Sequence, residues 1–380
     1  MRRKLALAGA IAALAVLLAA CGGEGQERGT PEPIGGISPC PPADSALGLT
    51  GAGATFPFPL YSLWADDYDR LCSVEINYQS IGSGGGQRQF IEKTVDFGAS
   101  DGIMSQDNEQ RAAQAGGPVL HIPMTSGAVA VTFNLPGFNR AQDRGRIKLT
   151  PDVLADIYLG KIQKWNDPRV ATLNSDLTLA NRDILVVHRS DGSGTTWIFA
   201  NYLSKVSADW KDKVGFDTSV QWPADALGRG VGGRGNEGVS AAVRQNPGAI
   251  GYVELAYALQ NNMVWAGLRN KAGDFVEPSV ERTTAAAQGV ILPDDMKTIL
   301  TDSQNREAYP IVGFTWLLVY LNQPDPAEGR ALAHFLWWAV HEGQKSAPEL
   351  QYAPLSQDAL QKVEAQIRSI KCGTEPCLKG

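Results

Sequence analysis

The sequence predicts an α/β protein with largely parallel sheets. Three observations carry that reading. Short β-rich runs alternate with helical patterns along the chain. Several connections are glycine-and-hydroxyl turns that pass from a strand straight into a helix. The chain has 380 residues, enough for one or two domains around a large core.

Taken in order, the first element is an export signal, "MRRKLALAGAIAALAVLLAACGG". Arg2, Arg3 and Lys4 form its basic region, and Leu5 to Leu18 form an apolar run short for a bilayer span. It ends in Leu18-Ala19-Ala20-Cys21, which resembles a bacterial lipobox. Residues 1–20 are therefore expected to be removed, with Cys21 lipidated and the protein exported and anchored at the cell membrane, facing the periplasm or cell exterior. Cleavage removes three of 34 basic residues and no acidic one, so the net charge moves from −6 to −9. That balance argues against a nucleic-acid partner, which needs a broad basic surface.

Residues 21–46 are rich in Gly and Pro and read as a flexible tether. From Leu47 the composition turns globular. "PFPLYSLWADDYDRL" puts Leu60, Trp64, Tyr68 and Leu71 on one helical face. "SVEINYQ" alternates at Val74, Ile76 and Tyr78, as a strand does. "GAVAVTFNL", "DILVVHR" and "GAIGYVEL" are further β-rich runs. Near the end, Asp325 is the expected N-cap, Pro326 the first helical residue and Glu328 the N3 acid. Leu332, Phe335, Leu336, Ala339 and Val340 then follow helical spacing, and Gly343 can stop the helix.

Four cysteines remain after Cys21. An even number outside the cytoplasm favours disulfides. "CGTEPC" is a short turning loop, so Cys372–Cys377 is expected, with Cys40–Cys72 as the second pair; metal ligation or free thiols are the alternative. No histidine has metal-ligand spacing. His334 and His341, seven apart, read as surface residues.

The chemistry concentrates in three segments with one grammar: strand, Gly plus Ser/Thr turn, helix. They are "LTGAGATFPFPLYSLWADDY", "YQSIGSGGGQRQFIEKTV" and "ILVVHRSDGSGTTWIFANYL". Each turn would present backbone N–H groups at a helix N-terminus, where the helix dipole also favours an anion. One such turn is commonly only a capped helix. Three turns, with Arg189 beside the last, suit a tetrahedral oxyanion that needs many converging donors. A Walker loop, a nucleophile elbow and a dinucleotide fingerprint are absent.

Together "LTGAGATFPFPLYSLWADDY", "INYQSIGSGGG", "VDFGASD", "DIYLGKIQKWND", "DGSGTTWIFANYLSKV", "GGRGNEGV" and "PGAIGYVELAYA" resemble the periplasmic phosphate-binding proteins of bacterial ABC transporters. The resemblance runs from about Leu49 to about Leu355. It implies a two-domain Venus-flytrap fold, each lobe a mostly parallel sheet flanked by helices. It implies a non-enzymatic monomer without cofactor that takes inorganic phosphate and delivers it to ABC permease subunits with a cytoplasmic ATPase. The expected lobes are 47–130 plus 314–380, and 131–313.

The same resemblance assigns ligands. Thr55 and the backbone N–H of Phe56 match donors to phosphate, and Ser83 matches a ligand serine at a helix start. Asp101 matches the carboxylate that accepts a proton of phosphate. Arg189 matches the cation, Ser193, Gly194 and Thr195 match the donors of the last turn, and Asp191 is expected to orient Arg189. His188 stands where the family commonly has Arg or Lys, and Ser190 where Ala is common. A binder of another oxyanion, an extracytoplasmic phosphatase-like hydrolase and a purely structural lipoprotein are the rival readings.

Overall fold

The structure is a computed structural model describing residues 31–379. The expected signal peptide and the lipidation site Cys21 lie outside the described residues. In chain order, the first elements that shape the site are β1 (Gly48–Gly53), α1 (Phe58–Cys72), β2 (Glu75–Ser80), α2 (Ser83–Ile91), β3 (Phe97–Ser100) and β4 (Val119–Phe133). The later ones are β5 (Leu185–Arg189), α3 (Gly194–Val206), β6 (Gly230–Gly233), α4 (Gly235–Gln245), β7 (Ala249–Glu254), β8 (Val312–Tyr320) and α5 (Pro326–Val340).

Two strands carry the architecture. β4 is 15 residues long, and β8 pairs with it antiparallel from Val312↔Ala128 to Tyr320↔Val119. On one side β3 joins β8, then β1 and β2. On the other, β7 joins the far end of β4, followed by β5 and β6. β1 is parallel to β2 and β3, and β5 is parallel to β6 and β7. The parallel halves expected from strand–helix alternation are therefore present, with an antiparallel seam between them. The seam has a topological cause. β4 carries the chain out of one half and β8 brings it back, so the two must run in opposite directions. Strands joined through helices within a half stay parallel.

The sequence suggested only the last part of β4. "HIPMT" hides the rest, because Pro123 cannot donate to a ladder. Pro123 sits opposite Trp316, where the register with β8 shifts between Thr315 and Trp316. A bulge is where a central strand tolerates a proline.

Helices cover both halves. Leu60, Trp64 and Tyr68 of α1 are buried as expected, and Tyr68 meets Phe335 and Trp338 of α5 at ring distances of 5.2 and 5.3 Å. Leu71 departs from the expectation: at the helix end it passes the core edge and is 38% exposed. In the other half Phe199 of α3 stacks on Tyr252 of β7 at 4.3 Å. Asp325 caps α5 by accepting from the N–H groups of Ala327 and Glu328. The helix stops at Val340, three residues before Gly343.

The packed chain also begins earlier than the expected tether boundary. Ile37 is fully buried, Trp337 donates to the Ile34 carbonyl, and Tyr68 donates to the Pro39 carbonyl. Cys40 is bonded to Cys72 and Cys372 to Cys377. His334 is not at the surface: it is buried, with Nδ1 facing the Ser38 carbonyl at 2.8 Å. His341 is half-buried, with Nε2 2.9 Å from Glu364. Both histidines serve packing around the N-terminal segment and the last helices.

Candidate functional site

The C-terminal ends of five parallel strands point to one place. Thr55 follows β1, Ser83 follows β2, Asp101 follows β3, Ser193 follows β5 and Asn236 follows β6. In open α/β sheets this is where ligands sit, because each strand there gives way to a helix N-terminus. Here α1, α2, α3 and α4 all begin at the same cleft.

The two halves touch across it. Ser83 Oγ accepts from the N–H of Asp101 at 3.2 Å on its own side and of Gly194 at 3.0 Å on the other. Gly84 N–H donates to the Gly192 carbonyl at 3.0 Å. A Cβ on Gly84 would lie 3.0 Å from the Gly192 Cα, and one on Gly194 would lie 2.5 Å from Asp101 Oδ2 and 2.6 Å from Ser83 Oγ. Glycine at these positions lets one helix start seat directly on the other. Thr55, Ser83, Asp101, Arg189, Ser193 and Thr195 are all buried, as is Phe56.

Arg189 is held by a two-pronged ion pair. Its Nε and Nη2 donate to the two carboxylate oxygens of Asp191 at 2.8 and 2.6 Å. The Gly235 N–H donates to the same carboxylate at 3.0 Å. Burial alone would raise the Asp191 carboxyl, but the Arg189 hydrogen bond and charge, with the Gly235 N–H, hold it below its ordinary value. The remaining Arg189 nitrogen, Nη1, reaches Thr195 Oγ1 at 3.5 Å. A planar guanidinium fixed on one edge presents its other edge in a defined direction.

Asp101 has the opposite electrostatics. Burial lifts its carboxyl from 3.8 to about 7, against the pull of the Thr315 hydroxyl, the Arg189 charge and the Ser83 hydroxyl. Its Oδ1 is buried without a hydrogen-bond partner among the described residues. A buried carboxyl of this kind is costly unless something completes it. Ser193 caps α3, its Oγ accepting from the Thr196 N–H at 3.0 Å. Thr195 is the second residue of α3, where the helix supplies no acceptor for the backbone N–H. The Phe56 carbonyl accepts from Tyr352 at 2.7 Å.

Sequence reasoning missed Asn236. It is fully buried, and its Nδ2 donates to Thr55 Oγ1 at 2.8 Å and to Thr195 Oγ1 at 3.2 Å. The signal was present in "GGRGNEGV", a fourth strand–glycine–helix turn. It also missed Glu254 and Tyr352, which meet at 3.1 Å behind Phe56. His188, unassigned from sequence, stacks on Trp222 and lies 2.8 Å from Asp225 and 3.0 Å from the Arg189 carbonyl. Each ring nitrogen thus faces an oxygen.

A PBP superfamily domain matches residues 24–342. The chain is 46% identical over 323 residues to a phosphate-binding protein PstS of Pasteurella multocida, covering 84% of this chain and 90% of that one. It is 32% identical over 376 residues to the phosphate-binding protein PstS3 of Mycobacterium bovis, covering 96% and 98%. Among solved structures, a high-affinity periplasmic phosphate-binding protein (PfluDING) bound with phosphate superposes with a TM-score of 0.67 at 23% identity, over 84% of this chain and 93% of that one. A phosphate-binding protein of Stenotrophomonas maltophilia gives 0.63 at 20% identity, over the same shares. The structural likenesses carry the two-lobed fold. The sequence relatives, matched over nearly their whole length, place this chain in the family of phosphate-binding proteins PstS, within the PBP superfamily.

Proposed function

We propose that this chain is an extracytoplasmic receptor that captures inorganic phosphate between its two lobes and delivers it to an ABC permease driven by a cytoplasmic ATPase. The observation that carries the reading is the buried Asp101 carboxyl, with one oxygen unpartnered and a pKa raised to about 7, at a cleft otherwise lined by donors. Near neutral pH phosphate brings at least one proton, and one proton shared between Asp101 and a phosphate oxygen makes a short charge-assisted bond. Sulfate brings none, so once Asp101 is ionised, above about pH 7, sulfate faces carboxylate against bare oxygen. A site built to hydrogen-bond a ligand O–H rejects the analogue without it by about 10⁴–10⁵.

In this reading phosphate is held by Thr55, Phe56, Ser83 and Asp101 from one lobe and by Arg189, Ser193, Gly194 and Thr195 from the other, with Asp191 orienting Arg189. The lobes are 47–130 plus 314–380, and 131–313, hinged where β4 and β8 cross. Contacts from both sides are complete only when the lobes close, so ligand and closure stabilise each other. Arg189 is already paired with Asp191, so most of the stabilisation of the anion falls to N–H and O–H dipoles at four helix starts. Nothing in this arrangement calls for a nucleophile or a metal, and the role is one of binding. Cys21 carries the lipid that keeps the receptor at the membrane.

A thermal-shift series tests it. At pH 8.5, with Asp101 ionised, phosphate raises the melting midpoint, sulfate at equal concentration does not, and p-nitrophenyl phosphate is not turned over. No phosphate-dependent rise would refute the proposal.

A further inference from the structure

Four hydroxyls line the phosphate position, those of Thr55, Ser83, Ser193 and Thr195, and a hydroxyl can donate or accept there. What occupies their lone pairs decides which. Ser83 Oγ accepts from two backbone N–H groups, those of Asp101 and Gly194. Only its proton is left to offer. Thr55 and Thr195 depend on one side chain for the same effect. Thr55 Oγ1 accepts from both the backbone N–H and the Nδ2 of Asn236, at 3.2 and 2.8 Å. Thr195 Oγ1 accepts from Asn236 Nδ2 at 3.2 Å and from Arg189 Nη1 at 3.5 Å.

The orientation of the Asn236 amide is itself dictated. The Glu254 backbone N–H meets Asn236 Oδ1 at 3.0 Å. That group can only donate, so the amide atom facing it must be oxygen, and the NH₂ must face the threonines. We infer that Asn236 is a positioning residue that fixes the hydrogen-bond polarity of the Thr55 and Thr195 hydroxyls, so that both can only donate to the bound anion. The inference rests on the phosphate reading above. It makes the Thr55, Ser83 and Thr195 hydroxyls obligate donors and leaves Asp101, with the second lone pair of Ser193 Oγ, as the side-chain acceptors. A second protonated oxygen on the ligand would find no free lone pair at those three hydroxyls. The device is also conditional: Thr55 and Asn236 are 181 residues apart and stand on opposite sides of the cleft, so the polarity of Thr55 is set only on closure.

A mutant cycle separates this role from a purely structural one. Phosphate affinity is measured by calorimetry for the wild type, Asn236→Ala, the double variant Thr55→Val plus Thr195→Val, and the triple variant. Asn236→Ala is expected to weaken phosphate by about tenfold when both hydroxyls are present. In the double-valine background the same change should alter affinity by less than about twofold. An equal loss in both backgrounds, or no loss in the first, overturns the inference while leaving phosphate binding by the wild type intact. Absence of wild-type binding overturns the parent reading and this one with it. Neutron diffraction of the wild-type phosphate complex decides the point without any substitution. The deuterons of both threonine hydroxyls should lie on the phosphate side, and a deuteron directed at Asn236 refutes the assignment.

Discussion

Replacing Asp101 by asparagine removes a titrating group at nearly constant shape, and its consequence for the unliganded protein can be worked out. In the folded chain the carboxyl holds its proton up to about pH 7, whereas an unfolded aspartate releases it near 3.8. Between those values the folded state binds the extra proton, so the Asp101 contribution to stability falls as pH rises. Below pH 3.8 the group is neutral in both states, and Asp101→Asn should match the wild type closely. Above pH 7 the wild type must either bury a charge or give up the fold. The displacement corresponds to about 4 kcal/mol at most, taken at 1.36 kcal/mol per pH unit. The assay is urea unfolding of both chains, stripped of ligand by unfolding and refolding, at intervals from pH 4 to pH 8. Subtracting the two curves cancels every other group. The difference should grow in favour of Asp101→Asn as pH rises to about 7 and then level off. Parallel curves would show that Asp101 is not a buried, incompletely partnered carboxyl, and the physical basis for selecting a protonated ligand would be gone.

Arg189→Lys keeps the charge but loses the two-pronged bond to Asp191, and phosphate affinity should fall by about 10- to 100-fold in calorimetry. Gly84→Val puts methyl groups where α2 seats on Gly192, so small-angle scattering with saturating phosphate should show a larger radius of gyration than the closed wild type. The two disulfides should differ in value. Cys40–Cys72 spans 32 residues and Cys372–Cys377 spans 5. Loop-closure entropy assigns them about 4 and about 2 kcal/mol, which Cys-to-Ser double replacements followed by urea unfolding would check.

What could be read from sequence was local. A strand, a glycine-hydroxyl turn and a helix start lie within about twenty residues, and their shared logic of free N–H groups made Thr55, Ser83 and the Arg189–Thr195 turn stand out. Asp101 was legible only through the resemblance, because a lone aspartate after a strand is commonly a turn residue. Asn236 lay in a turn of the same grammar. It offers neither charge nor hydroxyl, and its importance comes from meeting Thr55 across the cleft, a relation no local pattern contains. The Tyr352 contacts with Phe56 and Glu254 are equally remote in sequence. The length of β4 was hidden by Pro123, whose place in a central strand depends on a bulge formed with β8. The packing of residues 34–46 was hidden by composition: Gly and Pro dominate, while Ile34, Ile37 and Cys40 supply the few anchors.

The central claim is that this cleft chooses an oxyanion by its proton. Isothermal titration of the ligand-free wild type with phosphate and with sulfate at pH 8.5, where Asp101 is ionised and phosphate still carries one proton, tests it most directly. Phosphate should bind at least about 10⁴-fold more tightly than sulfate. Sulfate binding as tightly as phosphate would contradict the account.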